Sequence, residues 1–199
     1  MNKHDTALTL RVATPEDGAV LSEIYAHYLN TSAISYEYIA PDAAEFSARI
    51  AHKMQKYPYI VAELDGTPVG YAYASEFRER AAYAWCVELS VYVRDGVTGH
   101  GVGTALYTAL LEFLRLQNVV TAYSAITPPN DASVALHEKM GFDLAGKFHA
   151  SGYKMGKWWD LLWYEKVLTP LTETPPAVIP FPHLDRNTVA SVLKNAQRR

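Results

Sequence analysis

The sequence predicts a mixed α/β domain, a central twisted β-sheet with helices packed on it. Three observations carry that prediction. Segments of period-two alternation trade places with segments of helical period, in the order β-α-α-β-β-β-α-β-α-β. An Asp65–Gly66 pair joins two strand-like runs, which places antiparallel pairing early in the sheet. A strand, a glycine-rich loop and a helix start follow one another between Val93 and Leu114.

Leu8–Thr14 (LTLRVAT) alternates apolar and polar residues as a strand should. A helix start follows, with Thr14 as N-cap, Pro15 in the first turn and acids beside it. The stretch up to Pro41 reads as loop or short strand, and a second amphipathic helix begins at Asp42. YIVAELDGTPVGYAYASEF is the hairpin, and AAYAWCVELSVYVRD a further long strand. After the glycine loop and its helix come the apolar strand NVVTAYSAI, the helix NDASVALHEKMGF ending at Gly141, and a last strand KWWDLLWYEKVL. Past Leu168 the composition turns proline-rich. Residues 1–168 are therefore read as one domain, and residues 169–199 as an extended tail with a short helix near its end.

The bulk properties exclude several classes of function. The 199 residues suffice for one well-cored domain, and a net charge of −3 argues against a general nucleic-acid binder. A single cysteine, Cys86, rules out an internal disulfide. The start has no apolar core of signal-peptide length and no run reaches membrane-spanning length, so a cytoplasmic protein without membrane contact is expected. The histidines lack metal-ligand spacing, so no metal is expected either.

In VRDGVTGHGVGTALYTALLEFL, Gly99, Gly101 and Gly103 permit close backbone approach and positive φ. Val102, Leu106, Leu110, Phe113 and Leu114 then fall on one helical face. Unpaired amides at such a helix start grip phosphate. A glycine turn that merely caps a helix has the same appearance. The P-loop is excluded because Gly103 is followed by Thr104 and Ala105 with no lysine. The dinucleotide fingerprint is excluded because Leu106 stands where its third glycine belongs.

SVYVRDGVTGHGVGTALYTALL together with PPNDASVALHEKMGF resembles the GNAT family of acetyl-CoA-dependent N-acetyltransferases over roughly Leu8–Leu168. The resemblance implies a mixed sheet with helices on both faces. It also implies a coenzyme held along Val91, Tyr92 and Val93 and by the loop Thr98, Gly99, His100, Gly101, Val102, Gly103 and Thr104. One departure is Thr98, which stands where the family has Arg or Gln. Loop amides carry most of that grip, so the departure lowers the expected affinity without removing the site.

In VELSVYV, Val87, Leu89, Val91 and Val93 share one face while Glu88, Ser90 and Tyr92 share the other. A carboxylate inside such a strand must be solvated, paired or used. N-acetylation needs a neutral amine, and a Glu partly desolvated in a cleft can take the proton. Glu88 is the candidate general base, although a family-typical β-bulge could shift its facing. On the next helix Asn130, Ser133 and His137 form a polar stripe beside the apolar Ala132, Leu136 and Met140, which should face the sheet. In the GNAT pattern the Asn holds the coenzyme, with Ser133 beside it, and His137 takes the position of the tyrosine that protonates the leaving thiolate.

EFRERAAYAW gathers Arg78 and Arg80 with aromatic residues at the entrance to the Glu88 strand. That is either a solvated turn or a carboxylate-reading pair. SEFRERAAYAWCVELSVYV, HYLNTSAISYEY, PPNDASVALHEKMGF and GYKMGKWWDLLWYEKVL resemble the branch of the family that acetylates phosphinothricin, methionine sulfone and methionine sulfoximine. The branch implies Glu88 and His137 as catalytic pair, with Tyr36, Arg78, Arg80 and Tyr83 handling the acceptor, and a homodimer with acceptor sites near its interface. Rival readings are a peptide N-terminus or polyamine as acceptor, or a non-catalytic acyl-CoA-binding module.

Overall fold

The computed structural model describes residues 7–97 and 100–197. Their centre is a seven-stranded sheet in the order β1-β2-β3-β4-β5-β7-β6. The strands are β1 (Leu8–Val12), β2 (Tyr59–Leu64), β3 (Thr67–Glu76), β4 (Cys86–Val93), β5 (Thr121–Ile126), β6 (Asp143–Lys154) and β7 (Lys157–Val167). All neighbours pair antiparallel except β4 and β5, which run parallel. The helices are α1 (Gly18–Thr31), α2 (Ala43–Met54), α3 (Val102–Leu116), α4 (Asp131–Lys139) and α5 (Arg186–Ala196).

Alternation along the strands divides the interior into two cores. In β2, Tyr59 and Val61 pack with Leu21, Ile24, Phe46 and Ile50 beneath α1 and α2. Ile60 and Ala62 pack on the opposite face with Leu106, Leu110 and Phe113 of α3. The apolar face read for α3 is thus the buried one, and helices cover both sides of the sheet. No helix among the described residues is long and apolar enough to cross a membrane.

The β2–β3 turn is made by Asp65 and Gly66 at φ +49° and +78°, the left-handed pair that a twisted hairpin needs. Before α1, Pro15–Asp17 form one 3₁₀ turn, so the α-helix starts later than the proline suggests. Gly18 there meets α2 so closely that a Cβ would lie 2.1 Å from Ser47 Oγ. β4 begins only at Cys86, because Ala81–Tyr83 turn in a 3₁₀ helix.

β6 is a strand that the sequence pattern does not announce. It lies at the sheet edge with most side chains exposed, so it has no buried face to impose alternation. The tail also differs from a loose extension: Phe181–His183 make a 3₁₀ turn, and α5 packs against α3 and β1.

Candidate active site

The site arises where the sheet comes apart. β5 pairs with β4 only along Cys86–Glu88, while β3 follows β4 without a register shift from Val87 to Val93. From Leu89 onward the β5 side of β4 therefore carries peptide groups with no partner strand. The anticipated bulge does not interrupt the β3–β4 ladder, so Glu88, Ser90 and Tyr92 keep one face.

A cavity of about 520 Å³ occupies this opening and is lined by β4 residues Glu88–Val93, β5 residues Ser124–Ile126, and α4. Val91, Tyr92 and Val93 all line it, as do Asn130, Ser133 and His137. Tyr92 also packs edge-on against Tyr25, with ring centroids 5.2 Å apart, and stacks on Tyr71 at 5.3 Å. One wall of the cleft is thereby fixed by the core under α1. Tyr36 comes from the α1–α2 loop, its hydroxyl donating to Asp160 O at 3.3 Å.

Glu88 is half-buried in that cavity. Its carboxyl is pushed above the ordinary glutamate range by burial, while Arg78 and Lys53 pull it back. Burial thus makes it bind a proton more readily than a solvated carboxylate does, the property a general base needs.

α3 starts in front of the same cleft. Gly101, its N-cap, sits at φ +70°, which a side chain would disfavour. Gly103 lets α3 approach α4: a Cβ there would lie 3.1 Å from Leu136 Cδ2. His100 is exposed and Thr104 accepts a hydrogen bond from Lys139 Nζ at 3.3 Å. Thr98 and Gly99 lie outside the described residues. The free edge of β4 and the amides at the start of α3 suit a pantetheine chain and a pyrophosphate respectively.

α4 departs from its expected facing. Asn130 caps the helix, its Oδ1 accepting from Ser133 N–H at 3.3 Å. His137 is 2% exposed, the most buried residue of α4, whereas Ala132 is exposed and lines the cleft with Leu136. Leu136 and Met140 do pack on the core, so the apolar stripe is only partly as read. A hydrogen-bond chain is what draws His137 inward. Nδ1 lies 2.7 Å from Ser133 O, and because a carbonyl only accepts, Nδ1 carries the proton. Nε2 then accepts from the Tyr107 hydroxyl at 2.8 Å, which lies 3.3 Å from Ser124 Oγ. Burial lowers the pKa of His137, although the Ser133 carbonyl opposes it, and burial raises that of Tyr107. Both groups are therefore neutral near pH 7. The sequence reading does not single out Tyr107, whose only signal is a hydroxyl next to Leu106 of the apolar face, four residues after Gly103.

Arg78, Arg80 and Tyr83 lie in a second, cationic cavity of about 1030 Å³ that also holds Lys53 and Lys56. Arg78 borders both cavities, its guanidinium carbon 4.4 Å from the Phe77 ring centroid. Phe77 in turn stacks on Tyr123 at 4.3 Å. Arg78 is thus a hinge between the acid in one cavity and the cations of the other. Lys53 was not anticipated, and only the packing of α2 over Tyr73 brings it here, its Nζ 4.7 Å from that ring centroid.

An open sheet seam, a glycine-capped helix start and a half-buried acid describe an acyl-transfer cleft, and sequence relationships agree. Residues 10–163 match the acetyltransferase (GNAT) domain, and the chain belongs to that family. It is 34% identical to a phosphinothricin N-acetyltransferase of Streptomyces viridochromogenes, over 83% of this chain and 91% of the relative. It is 37% identical to an L-methionine sulfoximine/L-methionine sulfone acetyltransferase of Pseudomonas paraeruginosa, over 73% of this chain and 86% of the relative. Among solved structures, a phosphinothricin acetyltransferase from Sinorhizobium meliloti in complex with acetyl-CoA superposes with a TM-score of 0.80 at 33% identity, covering 88% of this chain and 98% of that one. An N-acetyltransferase from Staphylococcus aureus superposes with a TM-score of 0.80 at 30% identity, covering 82% and 100%.

Proposed function

We propose that the protein transfers the acetyl group of acetyl-CoA to the α-amino group of a small amino-acid analogue of the phosphinothricin, methionine sulfoximine or methionine sulfone type. The observation that carries this reading is Glu88, half-buried where the sheet opens, with Arg78 linking its cavity to one rich in cations. When bound, acetyl-CoA supplies the thioester under attack. Glu88 accepts the proton of the acceptor ammonium, directly or through water, and so frees the amine. Backbone N–H groups of β4 near Val91 donate to the developing oxyanion; as it collapses the C–S bond breaks and the coenzyme leaves as thiolate, which takes up the proton shed by the newly acylated nitrogen. Both ring nitrogens of His137 are engaged, so it acts through Tyr107, holding that hydroxyl toward the cleft wall. Arg78, Arg80 and Tyr83 take the acceptor's carboxylate and oxygen-rich side chain.

The coenzyme contacts are assigned to the β4 backbone, to residues 98–104 and to Asn130 and Ser133. The working unit is taken as a homodimer. Leu144, Phe148, Tyr153, Met155 and Trp158 of the β6–β7 hairpin are all more than half exposed, an apolar surface that a second copy would cover.

The deciding experiment is thiol release from acetyl-CoA with phosphinothricin, methionine sulfoximine, methionine sulfone, ordinary amino acids and polyamines, wild type beside Glu88→Gln. Turnover confined to the first three and largely lost in the variant is expected. Coenzyme binding without turnover of any amine would leave only an acyl-CoA-binding module.

A further inference from the structure

The tail beyond the family match does more than cover surface. From Pro176 to Phe181 it runs across the end of the sheet and is fastened at each step. Trp85 Nε1 donates to Pro176 O at 2.7 Å, Asn118 Nδ2 to Ala177 O at 3.0 Å, and Ile179 N to Gln117 O at 2.9 Å. Phe181 is buried against Phe113, ring centroids 5.1 Å apart.

Two further hydrogen bonds converge on a single atom outside the tail. Lys56 O, in the corner between α2 and β2, accepts from Phe181 N at 2.9 Å and from Gln117 Nε2 at 2.7 Å. The same Nε2 donates to Ile179 O at 2.7 Å, so a fully buried side chain ties tail and corner together. Lys53, Lys56 and Tyr57 of that corner wall the cavity that holds Arg78, Arg80 and Tyr83. Lys56 Nζ reaches across it to Glu76 Oε1 at 2.6 Å.

We propose that the tail is a strap that fixes the α2–β2 corner and through it the wall of the acceptor cavity, with Gln117 as the positioning residue. This rests on the reading of that cavity as the acceptor site. None of the fastening residues lines the cleft between β4 and β5, so the strap does not itself hold the coenzyme contacts.

The test uses full-length Gln117→Leu and the milder Trp85→Phe. Hydrogen exchange is followed over residues 53–58, together with KM for phosphinothricin and for acetyl-CoA, below the melting temperature of each variant. Gln117→Leu is expected to speed exchange at the corner and raise the acceptor KM about three- to tenfold, with the acetyl-CoA KM within about twofold. Trp85→Phe, which loosens only the far anchor, is expected to show a smaller change of the same kind. Unchanged exchange at residues 53–58 overturns the strap. Faster exchange with an unchanged acceptor KM overturns its effect on the site. Faster exchange in a protein whose wild type acetylates no amine supports the mechanical link and sinks the acceptor reading instead.

Discussion

In the proposed function Glu88 is the general base, and its environment sets two opposite expectations. Glu88→Gln should lower kcat by about 10²- to 10⁴-fold, measured by thiol release, because the variant cannot accept the acceptor's proton. The same change should stabilise the fold at neutral pH. Burial raises the carboxyl's pKa in the folded chain, so its contribution is complete only below the unfolded value of about 4.3 and is lost as pH rises through the folded one. Melting curves should therefore place Glu88→Gln above wild type at pH 7, with the gap closing near pH 4. Tyr107→Phe keeps the ring but removes the donor to His137 Nε2, and kcat should fall about 10- to 100-fold with the acetyl-CoA KM little changed. An undiminished kcat would show that His137 does not act through the Tyr107 hydroxyl.

At the scale of elements, short segments are held in place by polar groups that the sequence does not advertise. Lys154, at the end of β6, buries its ammonium and donates to Leu29 O at 2.8 Å and Ser35 O at 2.7 Å. The end of α1 and the loop bearing Tyr36 are thereby pinned to the β6–β7 hairpin. Asp17, before α1, accepts from Arg11 at 2.6 and 2.8 Å and from Thr14 N–H at 2.8 Å, which anchors that helix to β1. The start of α3 depends on Gly101. Gly101→Ala meets no atom within 4 Å, so its cost is conformational alone, about 1 kcal/mol or a fall of about 2–4 °C in Tm. A drop in coenzyme affinity much larger than this stability loss would locate the effect in the loop's amides.

At the scale of the whole molecule, Arg78 borders both cavities, and the β6–β7 hairpin carries an exposed apolar surface. If the β6–β7 surface joins two copies, wild type should run as a dimer in sedimentation at micromolar concentration, and Trp158→Lys with Phe148→Lys as a monomer. A wild-type monomer would refute that assembly.

Much of this architecture was legible in the chain. Helical period and alternation marked α1–α4 and most strands, the Asp65–Gly66 pair marked its turn, and Val87–Val93 gave the correct facing of Glu88. Each is a local signal, because a backbone needing left-handed φ or one apolar face limits the residues it can use. β6 escaped because an exposed edge strand is under no such constraint. The course of the tail escaped because proline-rich composition says only that a segment is not helical.

The sequence by itself determined the family, and it singled out the glycine-rich segment before α3 and Glu88 on β4. Tertiary structure alone decided that β4 and β5 part after Glu88, that His137 is buried on Tyr107, that the charges of Arg78 and Lys53 act on Glu88, and that Gln117 ties the tail to Lys56. The reason is physical: periodicity and turn chemistry act between near neighbours in the chain. Burial, pKa and hydrogen-bond closure depend instead on residues tens of positions apart, whose meeting only the packed fold defines.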